Sequence, residues 1–151
     1  MEKTLKFIPY GRQNIRERDV KAVVDVLKSD FLTTGPTIEK FEERMTHLTN
    51  ANFAISCTSG TAGLHLSSLA LGLKKEDLVV VPSITFLSTA NAPRIAGAEI
   101  IFCDVDPETG LMGAEHLEVA INRWQAKIKA VYVVHLGGQL TNMAEISEVA
   151  K

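Results

Sequence analysis

Leu78-Val79-Val80-Val81-Pro82-Ser83-Ile84-Thr85-Phe86 is the stretch on which the fold class turns. Five consecutive apolar residues bounded by a turn read as a strand covered on both faces, the kind found in parallel sheets. A helix-like stretch to Ala96 follows. A second apolar run, Ala98-Glu99-Ile100-Ile101-Phe102-Cys103, then closes on Asp104-Val105-Asp106-Pro107. A helix from about Ala114 to Gln125 leads into Ala130-Val131-Tyr132-Val133-Val134-His135, and a last helix covers Met143 to Ala150. Upstream, Phe53-Ala54-Ile55-Ser56 reads as the first of four strands. Gly63 to Leu71 is apolar around most of its circumference, which predicts a buried helix. Strands alternating with helices predict an α/β fold, a mostly parallel sheet with helices on both faces. In such sheets ligands gather beyond the carboxyl ends of the strands. The loops that matter are therefore Cys57–Ala62, Ser83–Phe86, Cys103–Asp106 and His135–Gln139.

The remaining chain is helical and simpler. After an extended start, Val20, Val23, Val24 and Leu27 recur at helical spacing between Glu17 and about Ser29. Thr33-Thr34-Gly35-Pro36 is a loop whose proline opens the next helix, which carries Ile38, Phe41, Met45 and Leu48 on one face. Residues 1–50 thus form a helical segment and 51–151 a partial sheet domain. The 151 residues carry 16 basic and 18 acidic side chains with no basic run, which argues against a nucleic-acid partner. No apolar stretch is long enough for a membrane span, and a cytoplasmic location is expected. Two cysteines cannot make a disulfide scaffold or a four-ligand zinc site.

The strongest chemical signal is Thr58-Ser59-Gly60-Thr61-Ala62 at the start of a helix. Small residues let the backbone approach a ligand, the first helical N–H groups lack intrahelical acceptors, and the helix dipole favours an anion there. The loop is neither a Walker A motif nor a dinucleotide fingerprint. An ordinary helix cap is the competing reading. Phe86, beyond the Leu78–Pro82 run, is either a core residue or a ring placed to stack on a flat ligand. His135 is either a ligand contact or a hydrogen-bonded loop residue. Asp104, Asp106 and Glu108 read as a solvated turn and not as a metal site. Cys57 precedes a helix N-terminus but has no motif-like histidine partner, so no metal and no catalytic nucleophile is expected.

Four ordered segments carry a resemblance: Asp30-Phe31-Leu32-Thr33-Thr34-Gly35-Pro36, Thr58-Ser59-Gly60-Thr61-Ala62-Gly63-Leu64, Pro82 to Ala92, and Val134-His135-Leu136-Gly137-Gly138-Gln139. Together with Ile8-Pro9-Tyr10-Gly11-Arg12-Gln13, they make the chain resemble the DegT/DnrJ/EryC1/StrS family of pyridoxal-phosphate-dependent sugar aminotransferases. The resemblance implies the aspartate-aminotransferase-like, type I fold, here only the N-terminal part of its large domain. It implies amino transfer from glutamate to a nucleotide-linked keto-sugar, in cell-surface polysaccharide biosynthesis, with pyridoxal 5′-phosphate as cofactor. Gly60, Thr61 and Ala62 then match the cofactor-phosphate positions, Phe86 the ring-stacking position, and Thr33 and Thr34 a segment near the substrate. Family members are about twice as long or more. Their cofactor-bearing lysine and pyridine-nitrogen carboxylate lie in later sequence, so this chain is expected to be a fragment that does not catalyse alone. It then works as a homo-oligomer or with a complementing C-terminal polypeptide; a non-catalytic binding module or degenerate remnant is the alternative. An uncovered sheet edge is expected to drive self-association.

Overall fold

A computed structural model describes residues 7, 9, 11–124 and 128–151. The extended start and the Ile8–Tyr10 motif lie largely outside these residues, as does Lys127. The chain forms two compact units, Met1–Ser56 and Cys57–Lys151.

In the first unit, α1 spans Glu17–Leu27 and α2 spans Pro36–Thr49. Asp19 opens α1 by accepting the backbone N–H of Arg16 at 2.9 Å, and Lys21 pairs with Asp25 one turn on. Pro36 takes the first position of α2, where its missing N–H costs nothing. Asn50 ends that helix in the left-handed region, at φ 54°. The Glu42 carboxylate accepts both the backbone N–H (2.7 Å) and the hydroxyl (2.8 Å) of Ser56. These two bonds favour the ionised carboxylate and hold its pKa below the usual value. Neither helix buries a residue within its unit.

The second unit holds the sheet. Its elements are α3 (Gly60–Ala70), β1 (Leu78–Pro82), α4 (Leu87–Ile95), β2 (Glu99–Cys103), α5 (Ala114–Trp124), β3 (Ile128–Val131) and α6 (Met143–Val149). The three strands are parallel in the order β2-β1-β3. Alternation along β1 sends Val80 to one face and Val79 and Val81 to the other, all fully buried. Val80 joins Ile101, Cys103, Met112, Leu117 and Ile146, a core built with α5 and α6. Val79 and Val81 join Leu73 and Ala98, with Ala90 of α4 and Ala96 just past its end packed against them. Helices therefore cover both faces, as the apolar strands required.

Three expectations are corrected. Phe53–Ser56 is not a strand: Phe53 is 86% exposed and Ile55 82%, and the segment belongs to the first unit, where no strand among the described residues pairs with it. The last strand runs Ile128–Val131 and not Ala130–His135, because it pairs with Leu78–Val80 at the start of β1 and leaves the sheet before His135. The α3 helix is not buried all round: Ser68 is its one buried residue, and Leu66 and Leu69 face outward. Its uniform apolarity carries no preferred face, so the contact with α4 decides what is covered.

Candidate functional site

The α3 helix leads through Leu71–Asp77 into the start of β1, so its own N-terminus lies at the opposite, C-terminal end of that strand. β1 ends at Pro82, and α4 begins five residues later. The two helix starts meet there: the Thr61 and Ser88 hydroxyls are 2.8 Å apart. Two macrodipoles thus direct their positive ends to one place beyond the sheet. No acidic residue occupies the first turn of either helix, so neither helix start sets a carboxylate of its own against an anion.

Gly60, Thr61 and Ala62 form the first turn of α3. Ser59 caps it, its Oγ accepting the Ala62 N–H at 3.2 Å, while its carbonyl accepts the Gly63 N–H at 3.0 Å. The capping reading is therefore real, and it leaves the N–H groups of Gly60 and Thr61 without helical acceptors. A Cβ placed on Gly60 would meet nothing within 4 Å, so the cradle is open at that point. Phe86 sits at the N-cap of α4, with its carbonyl accepting the Thr89 N–H at 2.9 Å. The Phe86 side chain is 71% exposed and is not a core residue. An open, acid-free pair of helix starts beside an exposed ring fits a phosphorylated planar cofactor.

Other candidates resolve into supporting roles. Asp106 Oδ1 accepts the backbone N–H groups of Glu108 (3.0 Å) and Thr109 (2.7 Å) and the Thr109 hydroxyl (2.9 Å). These bonds, those from Thr109 foremost, lower its pKa. The cluster is thus a turn, and the described residues contain no metal-binding group of His, Cys, Asp or Glu. Because the depressed pKa belongs to the folded state, the stability it confers is complete above the ordinary aspartate value and is lost as pH falls through the folded one. Asp106→Asn should therefore flatten the acid limb of the urea-midpoint profile below about pH 4, and an unchanged limb would exclude this role. Gly110, at φ +71°, closes the same turn, and a Cβ there would lie 2.9 Å from Leu136 Cδ2. Loop β2–α5 thereby packs on the 3₁₀ turn Leu136–Gly138 beyond β3.

His135 is exposed, and its Nδ1 accepts the Thr141 N–H at 3.1 Å while the Thr141 hydroxyl donates to the Val134 carbonyl at 3.2 Å. That is the hydrogen-bonded reading. Cys57 is exposed and its thiol meets the Ser59 carbonyl at 3.3 Å. Cys103 is buried, and burial first, then Asp104 and Glu115, pushes its thiol up to about 11. A disulfide-exchange reagent at pH 8 should label one thiol quickly, Cys57, with the second released only on denaturation; two fast thiols would contradict the buried position of Cys103.

Thr33 and Thr34 are exposed in the loop between α1 and α2 of the first unit, with Thr34 at φ 48°. No lysine occurs in Thr58–Ser59, Ser83–Phe86, Asp104–Gly113 or Tyr132–Asn142, the segments beyond the strand ends or before α3. Lys129 lies within β3, exposed, and with Lys151 it lines a groove beside Ile128 and Val149. The residue that sequence reasoning passed over is Ser88. Its visible signal was only a hydroxyl in the second position of a helix that follows a strand.

Comparison with known proteins adds the following. The sequence profile of the DegT/DnrJ/EryC1/StrS aminotransferase family matches residues 13–151. The chain is 40% identical over 145 residues to protein MJ1066 of Methanocaldococcus jannaschii, covering 96% of this chain and 37% of that protein. It is 36% identical over 146 residues to the UDP-4-amino-4-deoxy-L-arabinose–oxoglutarate aminotransferase of Shewanella sediminis, covering 97% of this chain and 37% of that one. Among solved structures, a protein described as a sugar aminotransferase, Spr1654 of Streptococcus pneumoniae, superposes in its PMP form with a TM-score of 0.87 and 30% identity. That match covers 94% of this chain and 35% of that one; its PLP form gives the same TM-score. The chain therefore spans a little over a third of the length of these relatives.

Proposed function

This chain belongs to the DegT/DnrJ/EryC1/StrS aminotransferase family, and from that premise we propose that it supplies the cofactor-phosphate cradle of a pyridoxal-phosphate-dependent sugar aminotransferase. The reaction is transfer of an amino group from glutamate to a nucleotide-linked keto-sugar, in cell-surface polysaccharide biosynthesis. One observation carries the reading: the N-termini of α3 and α4 converge beyond β1, acid-free and open, with Phe86 exposed at the second of them.

The backbone N–H groups of Gly60 and Thr61, with the Thr61 hydroxyl, would hold the phosphate dianion against the helix dipole, and Ala62, its N–H already taken by the Ser59 hydroxyl, would complete the turn around it. The exposed Phe86 ring would offer the cofactor's planar ring an apolar face to pack against. When bound, pyridoxal phosphate supplies an electron sink for charge developing at the carbon that bears the amino group. Thr33 and Thr34 are assigned to the sugar-nucleotide side on family likeness alone. The lysine and the carboxylate facing the pyridine nitrogen come from residues outside this chain, on the same or a second polypeptide, in an oligomeric enzyme. The absence of lysine from the loops beyond the strands supports that division of labour.

The test is a glutamate-dependent assay of 2-oxoglutarate release with pyridoxal phosphate and a UDP-linked 4-keto-sugar. No turnover is expected from the 151 residues alone, and turnover is expected once a polypeptide matching the remaining length of MJ1066 is co-expressed. Turnover by the chain alone would contradict the division of roles.

A further inference from the structure

We propose that Ser88 is a positioning residue of the phosphate cradle, acting through Thr61 and not by touching the cofactor itself. The inference rests on the reading above that the cradle takes a phosphate. Thr61 is an exposed residue at the start of α3, where a threonine hydroxyl ordinarily turns freely among solvent positions. Ser88 is different, being 8% exposed and fixed in the first turn of α4. The two oxygens lie 2.8 Å apart, a full-strength hydroxyl pair.

Within that pair the direction of donation follows from what each group can reach. When the buried Ser88 hydroxyl donates to Thr61, the Thr61 proton is released toward the open side of α3, where an anion sits. The reverse arrangement leaves Thr61 with only lone pairs facing a phosphate, which is repulsive. An anion in the cradle thus selects the chain Ser88 O–H to Thr61 O–H to phosphate oxygen. Each donation in such a chain strengthens the next. Ser88 in this way sets both the rotamer and the proton direction of Thr61, and it ties the two helix starts at a fixed spacing. A second hydroxyl pair, Thr85 donating to Thr89 at 2.8 Å, ties the segment before α4 to the first turn in which Ser88 sits.

The arrangement makes a phosphate-specific prediction. The 151-residue chain and its Ser88→Ala variant are titrated with pyridoxal phosphate and, separately, with pyridoxal, which keeps the ring and lacks the phosphate. Ser88→Ala should weaken pyridoxal phosphate about fivefold, the scale of one lost hydrogen bond to a charged-group network, and leave pyridoxal unchanged. In a Thr61→Val background, which removes the relay, Ser88→Ala should have no further effect on the ratio of the two affinities. Ser88→Thr, which keeps a hydroxyl in that turn, should retain the preference for pyridoxal phosphate, so the test stands should Ser88→Ala prove poorly folded; loss of the preference in a folded Ser88→Thr would overturn the proposal. Equal weakening of both ligands would show that Ser88 only packs α4 on α3 and would overturn the proposal. An unchanged pyridoxal phosphate affinity, or the same Ser88 effect with Thr61 already removed, would overturn it as well. A wild-type chain that binds pyridoxal no worse than pyridoxal phosphate would overturn the cradle reading itself, and this inference with it.

Discussion

Gly60→Asp is expected to weaken pyridoxal phosphate binding about a hundredfold while leaving the chain folded. At about 5 Å and an effective dielectric near 40, one carboxylate and a phosphate dianion repel by about 3 kcal/mol. Gly60 is the first residue of α3, and a side chain there meets no protein atom within 4 Å, so the new carboxylate enters the same open space as the ligand. For the helix the sign is opposite. An aspartate in the first turn interacts favourably with the dipole and adds about 0.3–1 kcal/mol. Isothermal titration and thermal melting of the same variant should therefore move in opposite directions. A variant that binds normally would show that the phosphate lies elsewhere, and one that loses binding only because it melts early would not support the cradle.

The second large effect belongs to the core. Leu117 of α5 is fully buried and joins Val80, Ile101, Met112 and Ile146 beneath the sheet. Leu117→Ala removes three heavy atoms and leaves a cavity that rigid strands on one side cannot collapse, so a cost of about 3 kcal/mol is expected. Against a typical total of about 5–15 kcal/mol this is a large fraction of the stability. The urea midpoint should fall with an unchanged slope. A loss below about 1 kcal/mol would mean that α5 does not close this face of the sheet.

The sheet was legible because β1 is apolar at every position and bounded by turn signals, a composition that suits a strand covered on both faces. The two core clusters on opposite faces of β1 are the physical counterpart of that run. The errors have a common source. Phe53–Ser56 has a strand's composition, yet a strand exists only through its pairing, and the residues give no sign of whether a partner is present. The uniform apolarity of α3 likewise hid which side α4 would cover. At the cradle, Gly60, Thr61 and Ala62 were readable as a helix start rich in small residues, and Phe86 as one of two alternatives. The Thr61–Ser88 pair was not, because it joins residues 27 apart in sequence and depends on how two helices dock. Asp106 shows the converse case, since its Asp-Pro-Glu-Thr-Gly context spells a turn locally and the structure builds that turn.

Native mass spectrometry of the chain with pyridoxal phosphate, before and after borohydride reduction, tests the central claim most directly. A one-to-one adduct is expected, displaced by excess inorganic phosphate and not fixed to any lysine by reduction. An adduct indifferent to phosphate, a lysine trapped by reduction, or no adduct would contradict that claim.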